Sequence, residues 1–286
     1  MKAWALVTLT GSLAVLSQSY AAPPAAAHKT PAGGAIERVG GHPNFSGVWS
    51  VMNTANWNIE PHLASAALEL RPGPVIPVPA KAIVALGAVG SVPAGMGVVA
   101  GGKIPYTPEA LAQKQENQKH YLERDPEVKC DLPGVPRANY MPFPFQIVQS
   151  AKTLLISYEY DGAVRDILFN DPGPAPIDSW MGQSVGKWDG DTLVITVTGQ
   201  NDSTWFDRAG NFHSGDMKVV ERWTLMNENT IRYEAQITDP ATFSAPWKMS
   251  MLMYRRLGED ARLQQFKCVE FVEELMYGDL RKEPLK

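Results

Sequence analysis

From residue 145 onward, the chain alternates apolar and polar residues in short stretches that turn residues separate. Such alternation is typical of strands with one buried face. Asp189-Gly190 is the strongest hairpin signal, because a type I′ turn requires positive φ at both central positions. The pattern predicts about ten strands, at residues 47–52, 145–149, 153–160, 164–169, 184–188, 192–198, 217–225, 230–238, 247–255 and 263–268. Consecutive hairpins at this spacing favour a mainly β fold, an antiparallel barrel, with a β-sandwich as the alternative.

Before the strand region, the pattern predicts one helix and two irregular segments. Thr107 stands at a helix cap position and Pro108 in the first turn, so we expect a helix from there to about Arg124. Residues 58–102 are rich in Pro and Gly and lack a steady period. They indicate a long loop, either a lid over a site or an insertion without function. Residues 22–43 are rich in Ala, Pro and Gly, which predicts a disordered lead-in.

The first residues have the pattern of a secretory signal peptide. Met1-Lys2 is a short basic start, residues 3–16 are an apolar run, and Ser19-Tyr20-Ala21 is a cleavage site of the small-x-small type. We therefore expect residues 1–21 to be cleaved and the protein to be periplasmic or secreted, with a retained anchor as the alternative. No later run reaches the ~20 apolar residues of a membrane-spanning helix, so no membrane span is expected. Residues 44–286 are predicted to form a single β-barrel domain.

The net charge, the cysteines and the absence of certain motifs limit the kinds of partner and cofactor that we expect. The net charge is −4 with both signs interspersed, which disfavours nucleic acid as a partner. The two cysteines, Cys130 and Cys268, are expected to form a disulfide in an exported chain, or else to be two buried free thiols. The sequence lacks a phosphate-binding Gly-rich loop, a Gly-x-Ser-x-Gly motif and a Cys-x-x-Cys pair. No cofactor and no metal site are predicted.

One predicted strand, residues 217–225, places a carboxylate among apolar side chains. Alternation puts Glu221 on the same face as Met217, Val219, Trp223 and Leu225. A carboxylate in an apolar setting must find a partner or have its pKa raised. Glu221 is therefore a candidate catalytic acid or base, or a ligand anchor. A structural ion pair with an inward-facing arginine is the alternative.

Neighbouring predicted strands supply further candidates. Asp166 lies between two apolar positions in the same manner as Glu221, with Arg165 on the opposite face, so Asp166 is a candidate catalytic residue. Tyr158 and Tyr160 are expected to share one strand face and could donate hydroxyls into a cavity, although Tyr in a strand is usually a packing residue.

The stretch from Trp180 to Trp223 holds four of the eight tryptophans and a single histidine. His213 precedes the strand of Glu221, where a histidine suits proton transfer near neutral pH, and a surface-loop histidine is the alternative. The predicted ligand-binding set combines aromatic, polar and charged side chains. It comprises Tyr158, Tyr160, Arg165, Trp180, Gln183, Asn201, Asp202, Trp205 and Trp223.

Two resemblances arise from these residues. Gly47-Val48-Trp49 resembles the Gly-x-Trp opening strand of lipocalin-like (calycin-like) barrels, which implies that Trp49 closes one end under Arg255 or Arg256. Over residues 44–268, the chain is similar to an uncharacterised family of exported bacterial β-rich proteins. Its matching segments are CDLPGVPR, PFPFQIVQ, YEYDGAVR, WMGQSVGKWDGDTLVI, NDSTWFDRAGNFHS and ERW. That resemblance implies no activity, and Gln183 stands where the family commonly has a His.

Two functional hypotheses follow. The first is a cofactor-independent periplasmic enzyme of the lyase, isomerase or hydrolase type that acts on a small hydrophobic or aromatic molecule by proton transfer. His213 and Glu221 would be the acid and base, with Asp166, Arg165 and Tyr160 orienting the ligand. The second is a periplasmic binding or carrier protein without catalysis, in which the same polar groups only fix the orientation of the ligand.

Overall fold

The computed structural model describes residues 36–66 and 91–281, which belong to one compact unit. The predicted signal peptide, residues 22–35 of the predicted lead-in and residues 67–90 of the predicted long loop lie outside the described residues. Within the described ranges, no helix has both the length and the apolar character needed to cross a membrane.

Two short two-stranded sheets accompany the barrel. β1 (Arg38–Val39) pairs with β2 (His42–Pro43), and β4 (Ser65–Ala66) pairs with β5 (Ser91–Val92). The first hairpin differs from the expectation that residues 22–43 are disordered, since residues 36–43 are ordered. Here the imidazole of His42 stacks on the indole of Trp188, with ring centroids 4.2 Å apart.

Nine strands of the described residues close into a barrel. They are β3 (Gly47–Val51), β6 (Phe145–Gln149), β7 (Leu154–Tyr158), β8 (Val164–Leu168), β9 (Gln183–Asp189), β10 (Thr192–Thr198), β11 (Lys218–Asn227), β12 (Thr230–Thr238) and β13 (Trp247–Arg255). Around the barrel, the order is β10-β11-β12-β13-β3-β6-β7-β8-β9. The prediction of a mainly β barrel is confirmed.

The barrel departs from the antiparallel prediction at one seam. β8 and β9 run parallel, with Ile167 opposite Ser184 and Leu168 opposite Val185, whereas the other neighbours in the barrel are antiparallel. A parallel pair needs a connection that returns the chain to the starting end of the first strand. Residues 169–182 supply it, which explains why no tight turn separates these two strands.

The predicted strand at residues 263–268 is wrong. These residues carry no strand pairing and belong to the C-terminal strap, which we define as residues 256–281. A closed barrel has no free edge at which a further strand can pair. The strap is instead fixed by the disulfide between Cys130 and Cys268, whose Cα atoms are 5.5 Å apart, so the predicted disulfide is confirmed.

The helices lie outside the barrel. α1 (Pro108–Lys119) begins as predicted, because the side chain of Thr107 accepts a hydrogen bond from the backbone N–H of Ala110 at 3.3 Å. The chain leaves the helix at His120 and resumes as α2 (Tyr121–Arg124), so the predicted helix is broken near its end. A third helix, α3 (Val272–Tyr277), lies in the strap.

One end of the core is organised around Trp49. Its side chain is fully buried, and its Nε1 donates to the carbonyl of Phe45 at 2.9 Å. The guanidinium of Arg255 lies over the Trp49 ring, 4.3 Å from its centroid, in the arrangement that the Gly-x-Trp resemblance implies. Gly47 has a φ of +144°, and a Cβ there would lie 2.0 Å from Nη1 of Arg255. The positive φ favours glycine here, and any larger residue would displace the guanidinium that covers the tryptophan.

Candidate functional site

A buried ion pair lies inside the barrel. Glu221 on β11 is fully buried, and its carboxylate pairs with the guanidinium of Arg165 on β8, which is also buried. Oε1 of Glu221 also accepts hydrogen bonds from Nδ2 of Asn139 and from the hydroxyl of Tyr233, each at 2.8 Å. The inward position predicted for Glu221 is confirmed, and its partner is an arginine. Its chemical role stays a prediction.

Further hydrogen bonds hold the partners of this pair in place. The hydroxyl of Tyr158 donates to Oδ1 of Asn139 at 2.8 Å, and Nε of Arg165 donates to Oγ of Ser184 at 2.7 Å. Burial alone would lower the pKa of Arg165, but the Glu221 carboxylate outweighs it and raises that pKa. Burial raises the pKa of Tyr158 to about 12. The guanidinium stays charged and the phenol stays protonated, which suits a fixed structural network.

The network lies among buried side chains in the barrel interior. Large side chains fill the barrel around it, including Trp223, which packs edge-on against Phe145 and Tyr233. Four surface cavities of the described residues have volumes of about 160 to 500 Å³. Neither Glu221 nor Arg165 lines any of these four. A general acid must reach the reacting atom directly or through one water, and none of these four cavities brings a ligand to Glu221.

His213 is buried apart from Glu221. Its Nδ1 lies 2.8 Å from the carbonyl of Ser214, and its Nε2 lies 2.6 Å from Oγ1 of Thr204. Because a carbonyl only accepts, Nδ1 carries the proton and Nε2 accepts from the hydroxyl. Burial lowers the pKa of His213, so the ring is neutral near neutral pH. No hydrogen bond among the described residues joins His213 to Glu221, and both of its nitrogens are already occupied.

The expectation that Asp166 faces the interior is wrong. Arg165 and Ile167 are the buried residues of β8, and Asp166 is exposed. The strand has only five residues, and each of its two faces carries one charged side chain among apolar ones. Alternation separates the two faces but does not say which is inner. Pairing with Glu221 decides it, since Arg165 can neutralise that carboxylate whereas Asp166 would repel it.

Tyr160 does not share a face with Tyr158, because β7 ends at Tyr158 and Tyr160 begins a 3-10 turn. Gln183 begins β9, and its Nε2 donates to the carbonyl of Gly173 at 2.7 Å, outside the Glu221 network. Oδ1 of Asn201 caps its own turn by accepting from the N–H of Ser203. The rest of the predicted ligand-binding set is dispersed: Trp180 is half-buried, Asp202 is exposed, Trp205 is buried in a loop, and Trp223 lies in the core.

An aromatic cleft of about 290 Å³ lies outside the barrel and was not predicted. Phe143, Tyr160 and Phe266 form it, with ring centroids 4.6 to 5.7 Å apart. One wall comes from the body of the fold, including Val128, and the other from the C-terminal strap. The hydroxyl of Tyr160 donates to the carbonyl of Glu127 at 3.1 Å, so the tyrosine is held in place from behind.

A buried charge cluster borders this cleft. Arg137 is bidentate to Asp125 at 2.7 and 3.0 Å and also donates to Glu127 at 2.7 Å. Arg208 donates to Glu127 at 2.8 Å and to Glu273 of the strap at 2.9 Å. Burial would raise the pKa of Glu127, but the guanidiniums of Arg208 and Arg137 lower it to about 2. The carboxylate of Glu127 is therefore ionised, and both guanidiniums of the cluster are paired with carboxylates.

Sequence patterns could have identified one of the missed residues. Tyr233 alternates with Ile231, Ala235 and Ile237 on β12, so its inward position was readable. Asn139 lies on a 3-10 turn in a Pro-rich connection, where no periodicity marks the inner face. Phe266 and Phe143 likewise lie outside strands, and only the tertiary structure brings them together.

No protein-family model, curated protein or solved structure matches this chain. Within residues 36–66 and 91–281, no group of three or more His, Cys, Asp or Glu side chains is placed to hold a metal ion.

Proposed function

We propose that this protein is an exported binding protein for a small hydrophobic or aromatic molecule, and that the ligand lies in the aromatic cleft without being chemically changed. The observation that carries the proposal is the cleft itself: about 290 Å³, lined mainly by apolar side chains, with three mutually packed aromatic rings in its lining. Ligand sites are typically concave, mostly apolar and supplied with a few fixed polar groups.

The cleft favours an aromatic ligand for a physical reason. Rings at centroid distances of 4.5 to 7 Å from a guest interact beyond their buried area, by about 0.5–1.5 kcal/mol per pair. Phe143, Tyr160 and Phe266 are already in contact with one another at such distances, so they form a pre-assembled aromatic surface on which a planar guest can stack. The neighbouring charges of Arg208 and Glu127 are paired, so they do not require a charged ligand.

Binding without catalysis is favoured over proton transfer because of Glu221 and His213. Every hydrogen-bonding atom of these two side chains already has a protein partner. An exported location is consistent with the Cys130–Cys268 disulfide, since oxidising compartments maintain such bonds.

Saturation-transfer NMR and calorimetry with indole and naphthalene test the proposal. We expect saturation of the protein to transfer to both probes, and Phe266→Ala to weaken their affinity by about tenfold, which corresponds to the loss of an aromatic contact. Phe169→Ala is the matched control, because Phe169 is also half-buried but stacks on Trp188 away from the cleft. Absence of binding, or equal losses in the two variants, would overturn the proposal. Release of a new product from a bound ligand would restore the enzyme hypothesis.

A further inference from the structure

A cavity of about 340 Å³, which we call the seam cavity, lies where the parallel pairing of β8 with β9 ends. That pairing stops at Leu168 opposite Val185, and the next residue of each chain segment, Phe169 and Gly186, lines the cavity. From Gly186 to its end, β9 is paired with β10. The position of the seam cavity therefore follows from the topology of the barrel, at the point where two neighbouring strands separate.

The β1–β2 hairpin forms another wall of the seam cavity. Val39 and His42 of this hairpin line it, and the ring of His42 stacks on Trp188 with the centroids 4.2 Å apart. The Nε2 of Gln149 donates to the carbonyl of Pro43 at 3.0 Å, which links the hairpin to β6. These contacts hold the walls in place without a ligand, so a guest would bind with little further ordering of the protein.

Two lysines from different elements line the seam cavity. Lys152 lies in the turn between β6 and β7, and Lys187 lies on β9. Both are exposed, and neither forms an ion pair with a carboxylate of the described residues. No Asp or Glu is among the described residues that line the cavity. A concave site with charges of one sign attracts a guest of the opposite sign, so this one favours an anion.

The carboxylates that follow Trp188 along the chain do not neutralise these lysines. Asp189 pairs with Arg222 at 2.9 Å, and Asp191 pairs with Arg38 at 2.6 Å. Each of these aspartates therefore already has an arginine partner. The positive charge of the two lysines remains available to a guest.

The size and the apolar part of the lining indicate an organic anion. A volume of about 340 Å³ lies within the ~300–1,000 Å³ that is typical of small-molecule sites, so an inorganic anion would leave most of it to water. Val39, Phe169 and Trp188 provide apolar surface in the same lining. A guest that carries both carbon and negative charge uses both kinds of surface.

We propose that the seam cavity binds a small dicarboxylate, whose carboxylates pair with Lys152 and Lys187 and whose carbon chain lies against the apolar side chains. Hydrogen bonds between an ammonium and a carboxylate are charge-assisted and stronger than those between neutral groups. This site is separate from the aromatic cleft, since the two share no lining residue. The proposal does not depend on the function proposed for that cleft.

Calorimetry of the oxidised protein at low salt tests this inference with three probes of similar shape: succinate, neutral succinamide and cationic putrescine. We expect succinate to bind about tenfold more tightly than succinamide and putrescine not to bind. Lys152→Gln and Lys187→Gln are each expected to weaken succinate binding about fivefold, as the loss of one exposed charge. Lys248→Gln is the matched control, because Lys248 is equally exposed on β13 but does not line the cavity, and it is expected to bind succinate as the natural protein does.

Several results would overturn the proposal. These are equal affinities for succinate and succinamide, sulfate bound as tightly as succinate, and equal losses in Lys248→Gln and the two cavity variants. Lys187→Arg retains the charge and should retain succinate affinity, so a loss as large as that of Lys187→Gln would also contradict it. Phe266→Ala should leave succinate binding unchanged, and displacement of succinate by indole would show that the two sites are not separate. Circular dichroism of each variant confirms that a loss of affinity is measured on folded protein.

Discussion

Arg165 and Glu221 are each acceptable inside the barrel only because the other is there. Transfer of an isolated charge from water to a protein interior costs several kcal/mol, and the ion pair offsets this cost only when additional hydrogen bonds complete it. Asn139, Tyr233 and Ser184 supply those bonds. The network therefore fixes the relative positions of β8, β9, β11 and β12.

Glu221→Gln is expected to destabilise the fold by about 3–5 kcal/mol, because it leaves the charge of Arg165 buried and unpaired. Urea denaturation measures this loss. The matched control is Glu234→Gln on the exposed face of β12, for which a change within about 0.5 kcal/mol is expected. Equal stabilities for the two variants would contradict the structural role of the pair. Indole binding by folded Glu221→Gln protein should be unchanged, since Glu221 does not line the aromatic cleft.

Asp207 gives the fold a pH dependence that can be measured. Its buried carboxylate accepts hydrogen bonds from the backbone N–H of Ile59 at 2.8 Å and from Nδ2 of Asn211 at 2.7 Å. Burial nevertheless raises its pKa from the ordinary 3.8 to about 6. Between these values, the folded protein retains a proton that the unfolded chain releases. The resulting stabilisation is complete below about pH 4 and is lost as the pH rises through 6.

Urea denaturation of the natural protein and of Asp207→Asn, from pH 4 to pH 7, isolates this effect. The stability of the natural protein relative to the variant is expected to fall by about 3 kcal/mol over this range. The lowered pKa of His213 acts in the opposite direction, since the unfolded chain takes up a proton more readily below pH 6.5. His213 is present in both proteins, so it cancels in the difference. Parallel pH profiles would contradict the raised pKa.

Glu221 and Asp166 show what alternation can and cannot decide for a single residue. The strand of Glu221 is long, and five alternating positions place it with four apolar residues, so its inner face was readable. The five-residue strand of Asp166 has an apolar and a charged residue on both faces. Only the tertiary pairing of Arg165 with Glu221 shows which face of this strand is buried. His213 illustrates a different limit, because sequence gives its proximity along the chain to β11 but not its hydrogen bonds.

At the scale of elements, the C-terminal strap determines the aromatic cleft. The strap is linked to the rest of the fold by the Cys130–Cys268 disulfide, by the hydrogen bond from the N–H of Phe271 to the carbonyl of Val128, and by the Arg208–Glu273 ion pair. It carries Phe266 and therefore one wall of the cleft. The alternation at residues 263–268 suggested a strand, but the closed barrel offers these residues no pairing edge.

Removing the disulfide is expected to have two separable effects. The double variant Cys130→Ser with Cys268→Ser loses a link across 138 residues, which the chain-entropy description values at about 4–5 kcal/mol. Urea denaturation measures that loss. Because the strap is then held by weaker contacts, indole affinity is expected to fall at least tenfold in calorimetry.

Glu273→Gln is the control for the strap, since it removes the ion pair with Arg208 but keeps the disulfide, and it is expected to have the smaller effect on both measurements. An unchanged urea midpoint in the double-serine variant would contradict the stabilising role of the disulfide. A lowered midpoint with full indole affinity would instead show that the cleft does not depend on the strap.

At the scale of the whole molecule, the pairing of β8 with β9 closes the barrel, and it is the shortest strand pairing in it. β8 and β9 are aligned only at Ile167 opposite Ser184 and at Leu168 opposite Val185. The β11–β12 pairing, in contrast, runs from Lys218 opposite Thr238 to Asn227 opposite Thr230. The alternation of the sequence predicted strands and hairpins because those are local. It could not predict the parallel pairing of β8 with β9, which residues 169–182 connect, since that pairing depends on closure of the entire sheet.

Gly186 makes the close approach at this seam possible, and Gly186→Ala tests how far the fold depends on it. A Cβ at this position would lie 2.5 Å from Cγ2 of Ile167, a branched side chain in the packed interior that has little freedom to move. We expect a loss of about 1–3 kcal/mol in urea denaturation, together with faster hydrogen exchange of the β8 and β9 amides than of those in β11 and β12. Gly215→Ala is the control, because a Cβ there meets no atom within 4 Å. If both alanine variants are as stable as the natural protein, close packing of β9 against β8 is not what closes the barrel.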